Sequence, residues 1–201
     1  MSALRNRLRG RFDPKRFDAA RFGEYAVSTS SAVQALQIDQ PGLLLEAQGP
    51  ALSHAVLPEG IVVLQGKPAI RDGALAAAFA AQGVAALWPS LARDPDALLN
   101  QFQGRFALLW LDFASARLQL ASDRFNTLGF CWALDEGVLS FANRADALPR
   151  DSRAVDPQAV FDYLYFHMIP SPRTIFADVQ RLEPGSRLSW HFGNLPQTQA
   201  W

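Results

Sequence analysis

Residues 103–147 constrain this chain more than any other stretch. They read QGRFALLWLDFASARLQLASDRFNTLGFCWALDEGVLSFANRADA, a series of short apolar runs with one polar knot, Ser122-Asp123-Arg124, in the middle. The runs 106–112, 117–121, 130–134 and 138–142 have the length of strands, and their connectors carry the Asp, Ser, Asn and Gly that turns select. Outside this block, 32–38 alternates apolar and polar residues as a half-buried strand does. Residues 42–48 read as its neighbour after the Gln40-Pro41-Gly42 turn, and 60–65 (GIVVLQ) as a short buried strand.

Helical signals lie apart from these strands. Residues 72–82 are alanine-rich, with Asp72 placed to cap and Gly83 to stop a helix, and 95–101 follow Asp94 as a second cap. A third helix is expected at 157–167, where Asp156 caps, Pro157 takes the first helical position, and Val160, Phe161, Leu164 and Tyr165 form one apolar stripe. Pro170, Pro172 and Pro184-Gly185 then break the chain before a last strand at 186–191. Strands clustered together and helices segregated from them predict an α+β domain of antiparallel sheets covered by helices.

A length of 201 residues suits one medium domain, and 49% hydrophobic against 19% charged residues is the balance of an ordinary globular core. Net charge is zero, which gives no reason to expect nucleic acid or a membrane as partner. The lone Cys131 excludes an intrachain disulfide and a cysteine-built zinc site. No apolar run is read as approaching the roughly 20 residues of a membrane span, and the N-terminus lacks the apolar segment of a signal peptide. A cytoplasmic location is the expectation.

Charge is unevenly placed all the same: Arg5, Arg7, Arg9, Arg11, Lys15, Arg16 and Arg21 face only Asp13 and Asp18. In a strand over 2–12 the alternating arginines share one face, while Leu4, Leu8 and Phe12 share the other. In a helix the same leucines and Phe12 also align, so periodicity does not choose. The stripe is either a docking surface for an acidic partner or a solvated face.

Two blocks carry a family resemblance. Gly104-Arg105-Phe106-Ala107-Leu108-Leu109-Trp110-Leu111-Asp112, followed by Ala121-Ser122-Asp123-Arg124-Phe125, is similar to the strand and A-R-D-R segment of asparagine synthetases. The stretch from Val155 and Asp156 to Trp190 resembles the same family's "P-x-P-x-T-I-F-x-x-V-x-x-L-x-P-G-x-x-L" at Pro170, Pro172, Thr174, Ile175, Phe176, Leu182, Pro184 and Gly185. The part resembled is the glutamine-hydrolysing, class II amidotransferase half of those enzymes. The resemblance implies the four-layer αββα sandwich of N-terminal-nucleophile hydrolases, filling residues 1–201 as a single domain. Family activity would be asparagine synthase (glutamine-hydrolysing). No S-G-G-x-D-S loop occurs, so an ATP-binding synthetase domain is expected to be absent, no cofactor is expected in this chain, and the partner implied is a synthetase domain in cis or in trans.

The family's chemistry needs an N-terminal thiol with its own α-amine as base, and two donors for the oxyanion. Ser2 stands where the cysteine would be; a hydroxyl is a weaker nucleophile, and Ser2 is the one catalytic candidate. Leu64-Gln65-Gly66-Lys67 occupies the place of the family's hydrophobic-Asn-Gly-Glu. Gly66 keeps a backbone N–H there, Gln65 is longer than asparagine by a methylene, and Lys67 reverses a charge. Asn126-Thr127-Leu128-Gly129 and Cys131-Trp132 also replace polar family positions. Asp123 and Arg124 persist and are expected to be an internal ion pair or a turn anchor.

Other constellations are weak. Ser53-His54 beside any aspartate lacks geometry, His54, His167 and His191 lack metal-ligand spacing, and Cys131 between Phe130 and Trp132 reads as a core thiol. The resemblance, with these departures, implies a degenerate amidotransferase-like domain that scaffolds or docks to an ATP-dependent amide-forming synthetase. Two alternatives stay open: an active glutamine amidohydrolase using Ser2, and a module binding a small ligand or peptide in the vacated pocket.

Overall fold

The computed structural model describes residues 7–24, 27–30, 34–148, 154–191 and 193–201. In chain order the first strands are β1 (Arg7–Phe12), β2 (Val27–Ser30), β3 (Ala35–Gln40), β4 (Leu43–Gln48), β5 (Leu52–Leu57), β6 (Gly60–Gly66) and β7 (Ala69–Ile70). Helices α1 (Gly73–Gln82), α2 (Trp88–Arg93) and α3 (Pro95–Leu99) follow, then β8 (Phe102–Gln103), β9 (Phe106–Asp112), β10 (Arg117–Ser122), β11 (Cys131–Asp135) and β12 (Val138–Ala142). Helix α4 (Pro157–Phe166), β13 (Gln180–Arg181), β14 (Ser186–Trp190) and β15 (Gln197–Ala200) complete the order.

The long strands form two antiparallel sheets. One runs β13-β11-β12-β1-β4-β3-β2 and the other β15-β14-β10-β9-β6-β5. Their inner faces meet in one core, where Leu8 and Phe12 of β1, Leu45 of β4 and Phe141 of β12 face Ile61 and Val63 of β6, Leu109 of β9 and Trp190 of β14. Gly10, between Leu8 and Phe12, leaves the space that the Phe141 ring fills, and a methyl there would clash with that ring and the Leu44 carbonyl. Arg7, Arg9 and Arg11 point the other way, so the arginine segment is a strand from Arg7 onward. Ser2, Leu4 and Arg5 lie outside the described residues.

β6 and β9 are buried on both faces, which is why they read as unbroken apolar runs. Their outer side chains Val62, Leu64, Leu108 and Trp110 pack under Val84, Leu87, Leu91, Leu98 and Leu99 of the helical layer. Asp72 accepts from the Leu75 N–H at 2.8 Å and Asp94 from the Ala97 N–H at 3.0 Å, as their cap positions predict. On the far side of the seven-stranded sheet, Cys131 and Ala142 pack against Leu148 and Val179. Helix α4 joins that side through backbone bonds from Asp156 N to the Ile175 carbonyl and from Ala177 N to the Ala154 carbonyl. The layer order is thus helix, sheet, sheet, helix.

One expectation needs correction. Gly73–Arg93 is long and apolar enough to cross a membrane by length and composition, with a mean hydropathy of 1.4. Gly83 at φ 66° interrupts it; Val84, Leu87 and Leu91 are buried against the sheet, whereas α1 before them buries no residue.

Candidate functional site

β1 is a central strand, flanked by β12 and β4, and its Arg7 end opens beside the gap between the sheets. The Leu8 N–H donates to Asn143 Oδ1, and the Asn143 N–H returns a bond to the Leu8 carbonyl at 2.9 Å. Asn143 Nδ2 then donates to Gln65 Oε1 at 2.9 Å, and Gln65 Nε2 donates to the Gln48 carbonyl at 3.3 Å. Gln65 belongs to one sheet; Gln48, in β4, and Asn143, directly after β12, lie on either side of β1 in the other. Its fully buried amide therefore bridges the sheets beneath the start of β1.

This geometry decides what the oxyanion position can offer. Both ends of the Gln65 amide are engaged in the framework. Gly66, at φ 110° and packed close over the Arg105 carbonyl, donates its N–H to the Ala51 carbonyl at 2.8 Å. The N–H that the sequence left available at Gly66 is thus already used. Lys67 is exposed, and Ser2 lies outside the described residues. Stabilising a developing oxyanion requires donors aimed at it in advance; the Gly66 N–H and one N–H of the Gln65 amide are aimed at the protein's own carbonyls. Asn143 and Gln48 were not legible as site residues, since the only signal at Asn143 is an amide directly after the apolar run 138–142.

Asp123 and Arg124 do not form the ion pair considered from sequence. Asp123, 1% exposed, accepts from the N–H groups of Phe125 at 2.9 Å, Thr127 at 3.1 Å and Leu128 at 3.2 Å, and from the Thr127 hydroxyl at 3.2 Å. Arg124 donates to Asn100 Oδ1 at 2.8 Å and lies 4.7 Å from the Trp201 ring centroid. The turn around Asp123 also locks to the Pro184-Gly185 turn. Ser122 Oγ donates to the Glu183 carbonyl at 2.9 Å, Gly185 N to the Asp123 carbonyl at 2.9 Å, and Asn126 Nδ2 to the Leu182 carbonyl at 2.9 Å. The two blocks that carry the family resemblance are one interlocked unit.

The remaining sequence candidates are scattered. Arg9 donates to Glu46 at 2.7 Å and Arg7 stands 3.6 Å from the same carboxylate, so part of the arginine stripe is paired within the sheet. Arg11 and Arg16 line an open cavity of about 590 Å³ with Asp13 and Asp39, at the opposite end of β1 from Gln65. Cys131, Asn126, Asn143, Arg144 and Arg181 line another of about 370 Å³. Burial pushes the Cys131 thiol up despite neighbouring Arg181, so it is a weak nucleophile there. Burial likewise lowers His54 on β5, while His167 caps α4 and His191 lies 2.6 Å from Asn194. No cluster of metal-ligating side chains occurs among the described residues.

Against this geometry the comparisons are consistent. A family model described as a glutamine amidotransferase domain matches residues 87–201. A UPF0758 protein of Azotobacter vinelandii is 37% identical over 124 residues, covering 59% of this chain and 51% of that protein. Among solved structures, an allosteric regulatory enzyme of purine biosynthesis aligns with a TM-score of 0.50 at 12% identity, covering 96% of this chain and 48% of the other. A glutamine phosphoribosylpyrophosphate amidotransferase from B. subtilis aligns at 0.47 and 11%, covering 96% and 49%. The chain spans about half the length of the proteins it matches. It belongs to the glutamine amidotransferase domain family and carries the N-terminal-nucleophile-hydrolase fold of the class II enzymes.

Proposed function

We propose that this chain is a glutamine amidotransferase-like domain of asparagine synthetase type that does not hydrolyse glutamine. In this reading it acts as scaffold or docking partner for an ATP-dependent amide-forming synthetase, in cis or in trans, and binds no cofactor itself. The observation that carries it is the engagement of Gln65 and Gly66: the Gln65 amide is held between the two sheets, and the Gly66 N–H is bonded within its own sheet. Each oxyanion donor drawn away costs the transition state about 3–4 kcal/mol of electrostatic stabilisation. Two residues that match the family, Asp123 and Gly185, lock the two turns to each other, and they serve architecture.

The test has two arms. Purified chain is incubated with glutamine and ammonia release is followed; the expected result is none above background. The chain is then co-expressed with an ATP-dependent synthetase of the same organism and recovered by affinity and sizing, where a stable complex is expected. Glutamine turnover that vanishes in Ser2→Ala would overturn the reading in favour of the amidohydrolase. That second reading is favoured by one observation, the placement of the Arg7 end of β1 beside Gln65 and Gln48. Mass spectrometry showing Met1 retained would remove it, because the α-amine of Ser2 would be blocked.

A further inference from the structure

Among the described lysines and arginines, only Arg9, Arg181 and Arg187 are buried or half-buried. Arg9 is paired with Glu46 at 2.7 Å and Arg187 with Asp96 at 2.9 Å. Arg181 forms no ion pair among the described residues. It stands in β13 directly opposite Cys131 of β11, and opposed residues of an antiparallel pair share a face. That face is the outer one of the seven-stranded sheet, where Cys131 and Ala142 pack against Leu148 and Val179. The next residues along, Trp132 and Leu182, belong to the core between the sheets. Arg181 and Cys131 line the cavity of about 370 Å³, a volume of small-molecule size. One wall is the turn through Asn126, Thr127 and Gly129, which Asp123 holds by accepting from the Thr127 and Leu128 N–H groups. Another carries Arg144, clamped to Asp146 by bonds of 2.9 and 2.7 Å.

We propose that this cavity binds the carboxylate of a small organic acid, with the Arg181 guanidinium as its partner. A cation drawn away from bulk water is costly without a counter-charge. Glu46 and Asp96 supply one to Arg9 and Arg187; at Arg181 the position is left to a ligand. Cys131 does not fill it, because burial raises the thiol and keeps it neutral. Charge selects the kind of anion. The lining holds two arginines and one acid, and Arg144 and Asp146 cancel each other, so the charge of Arg181 remains. A single carboxylate balances it, whereas a phosphate dianion would leave an excess. The planar fork of a guanidinium also matches the two oxygens of a carboxylate. Asn143 is common to this cavity and to the Gln65 bridge, but the thiol and Arg181 lie on the outer face of the sheet, away from the gap. The inference therefore stands apart from the docking role proposed above and from glutamine hydrolysis.

The test is titration of the purified, isotope-labelled chain with sodium lactate at constant ionic strength, followed residue by residue in amide NMR spectra. The expected result is saturable shifts at Thr127, Cys131 and Arg181, with a dissociation constant raised at least about tenfold in Arg181→Gln. Arg117→Gln, which removes an exposed arginine of β10 in the other sheet, is expected to leave binding unchanged. Should Arg181→Gln disturb folding, as judged by circular dichroism, Arg181→Lys keeps the charge, loses the fork, and is expected to weaken binding as well. Shifts that fail to saturate, or that saturate equally in these Arg181 variants, would overturn the proposal. Inorganic phosphate displacing lactate from the same amides at lower concentration would overturn the choice of a carboxylate.

Discussion

Asn143 and Gln65 meet across the gap between the two sheets, Nδ2 to Oε1 at 2.9 Å, and Gln65 passes the contact on to the Gln48 carbonyl. A buried amide that satisfies both its ends in this way is a cross-link as well as a candidate site residue. Removing it leaves an amide of Asn143 and the Gln48 carbonyl, both part-buried, without this partner. Gln65→Ala is therefore expected to cost about 1–3 kcal/mol, read as a lower urea midpoint. Gln65→Asn, which restores the family residue but is a methylene too short to reach both partners, is expected to lose stability as well and to gain no glutaminase activity. Wild-type stability in Gln65→Ala would show that the bridge is dispensable.

The Asp123 carboxylate gathers three backbone N–H groups and a hydroxyl in one turn. Hydrogen bonds to an ionised acceptor contribute about 1.5–3 kcal/mol each when buried. Asp123→Ala is expected to cost at least about 3 kcal/mol. Because the same turn locks the Pro184-Gly185 turn, amide exchange should accelerate at Gly185, whose N–H bonds to the Asp123 carbonyl. Asp123→Asn keeps the shape and half the acceptors and should fall between. A loss confined to 125–128, with Gly185 unaffected, would separate the two turns.

Two titrations give stability an acid dependence with separable windows. The hydrogen bond from Arg9 holds the Glu46 carboxyl below its ordinary 4.5, against a smaller opposing effect of burial. Its folded value is the lower one, so its contribution is complete above about pH 4.5 and is lost as pH falls through the folded value. Burial also lowers His54 from 6.5. There the unfolded chain takes the proton first, so stability declines as pH falls through 6.5 towards the folded value. Thermal melts against pH should show both declines. Glu46→Gln should flatten the lower one at a cost of about 0.5 kcal/mol at neutral pH, and His54→Gln should flatten the upper one. A lower decline unchanged in Glu46→Gln would assign it to other carboxylates.

Cys131 is 4% exposed, and burial raises its thiol above the ordinary 9.0. Only the thiolate attacks electrophiles, so the native thiol is expected to react with a disulfide reagent at pH 8 at least about tenfold more slowly than the denatured chain. Equal rates would mean that the cavity beside Asn143 and Arg181 admits reagent and activates the sulfur.

Local signals in the sequence were reliable wherever a short stretch decides its own structure. The Asp72, Asp94 and Asp156 caps, the stop at Gly83, and the strands at 106–112 and 138–142 are where composition and periodicity put them. β5 was missed because Ser53, His54 and Ala55 on a sheet edge carry no apolar alternation. The pairing of the two sheets, and so the fold, was read from the family resemblance and the clustering of strands.

The candidate site was legible only in part, for a physical reason. The sequence by itself determined which residues stand at 2 and 65, and the family resemblance led to the expectation that Ser2 takes the place of a thiol and Gln65 that of an oxyanion asparagine. Whether Gln65 and Gly66 are free to donate depends on which carbonyls lie within hydrogen-bond reach, and those belong to Gln48 in β4 and to Ala51 in the turn before β5. The stripe on α4 makes the same point from the other side. Periodicity established that Phe161, Leu164 and Tyr165 share a face, but only the tertiary structure, through Arg173 anchoring Asp156 and Asp162, decided that this face looks outward.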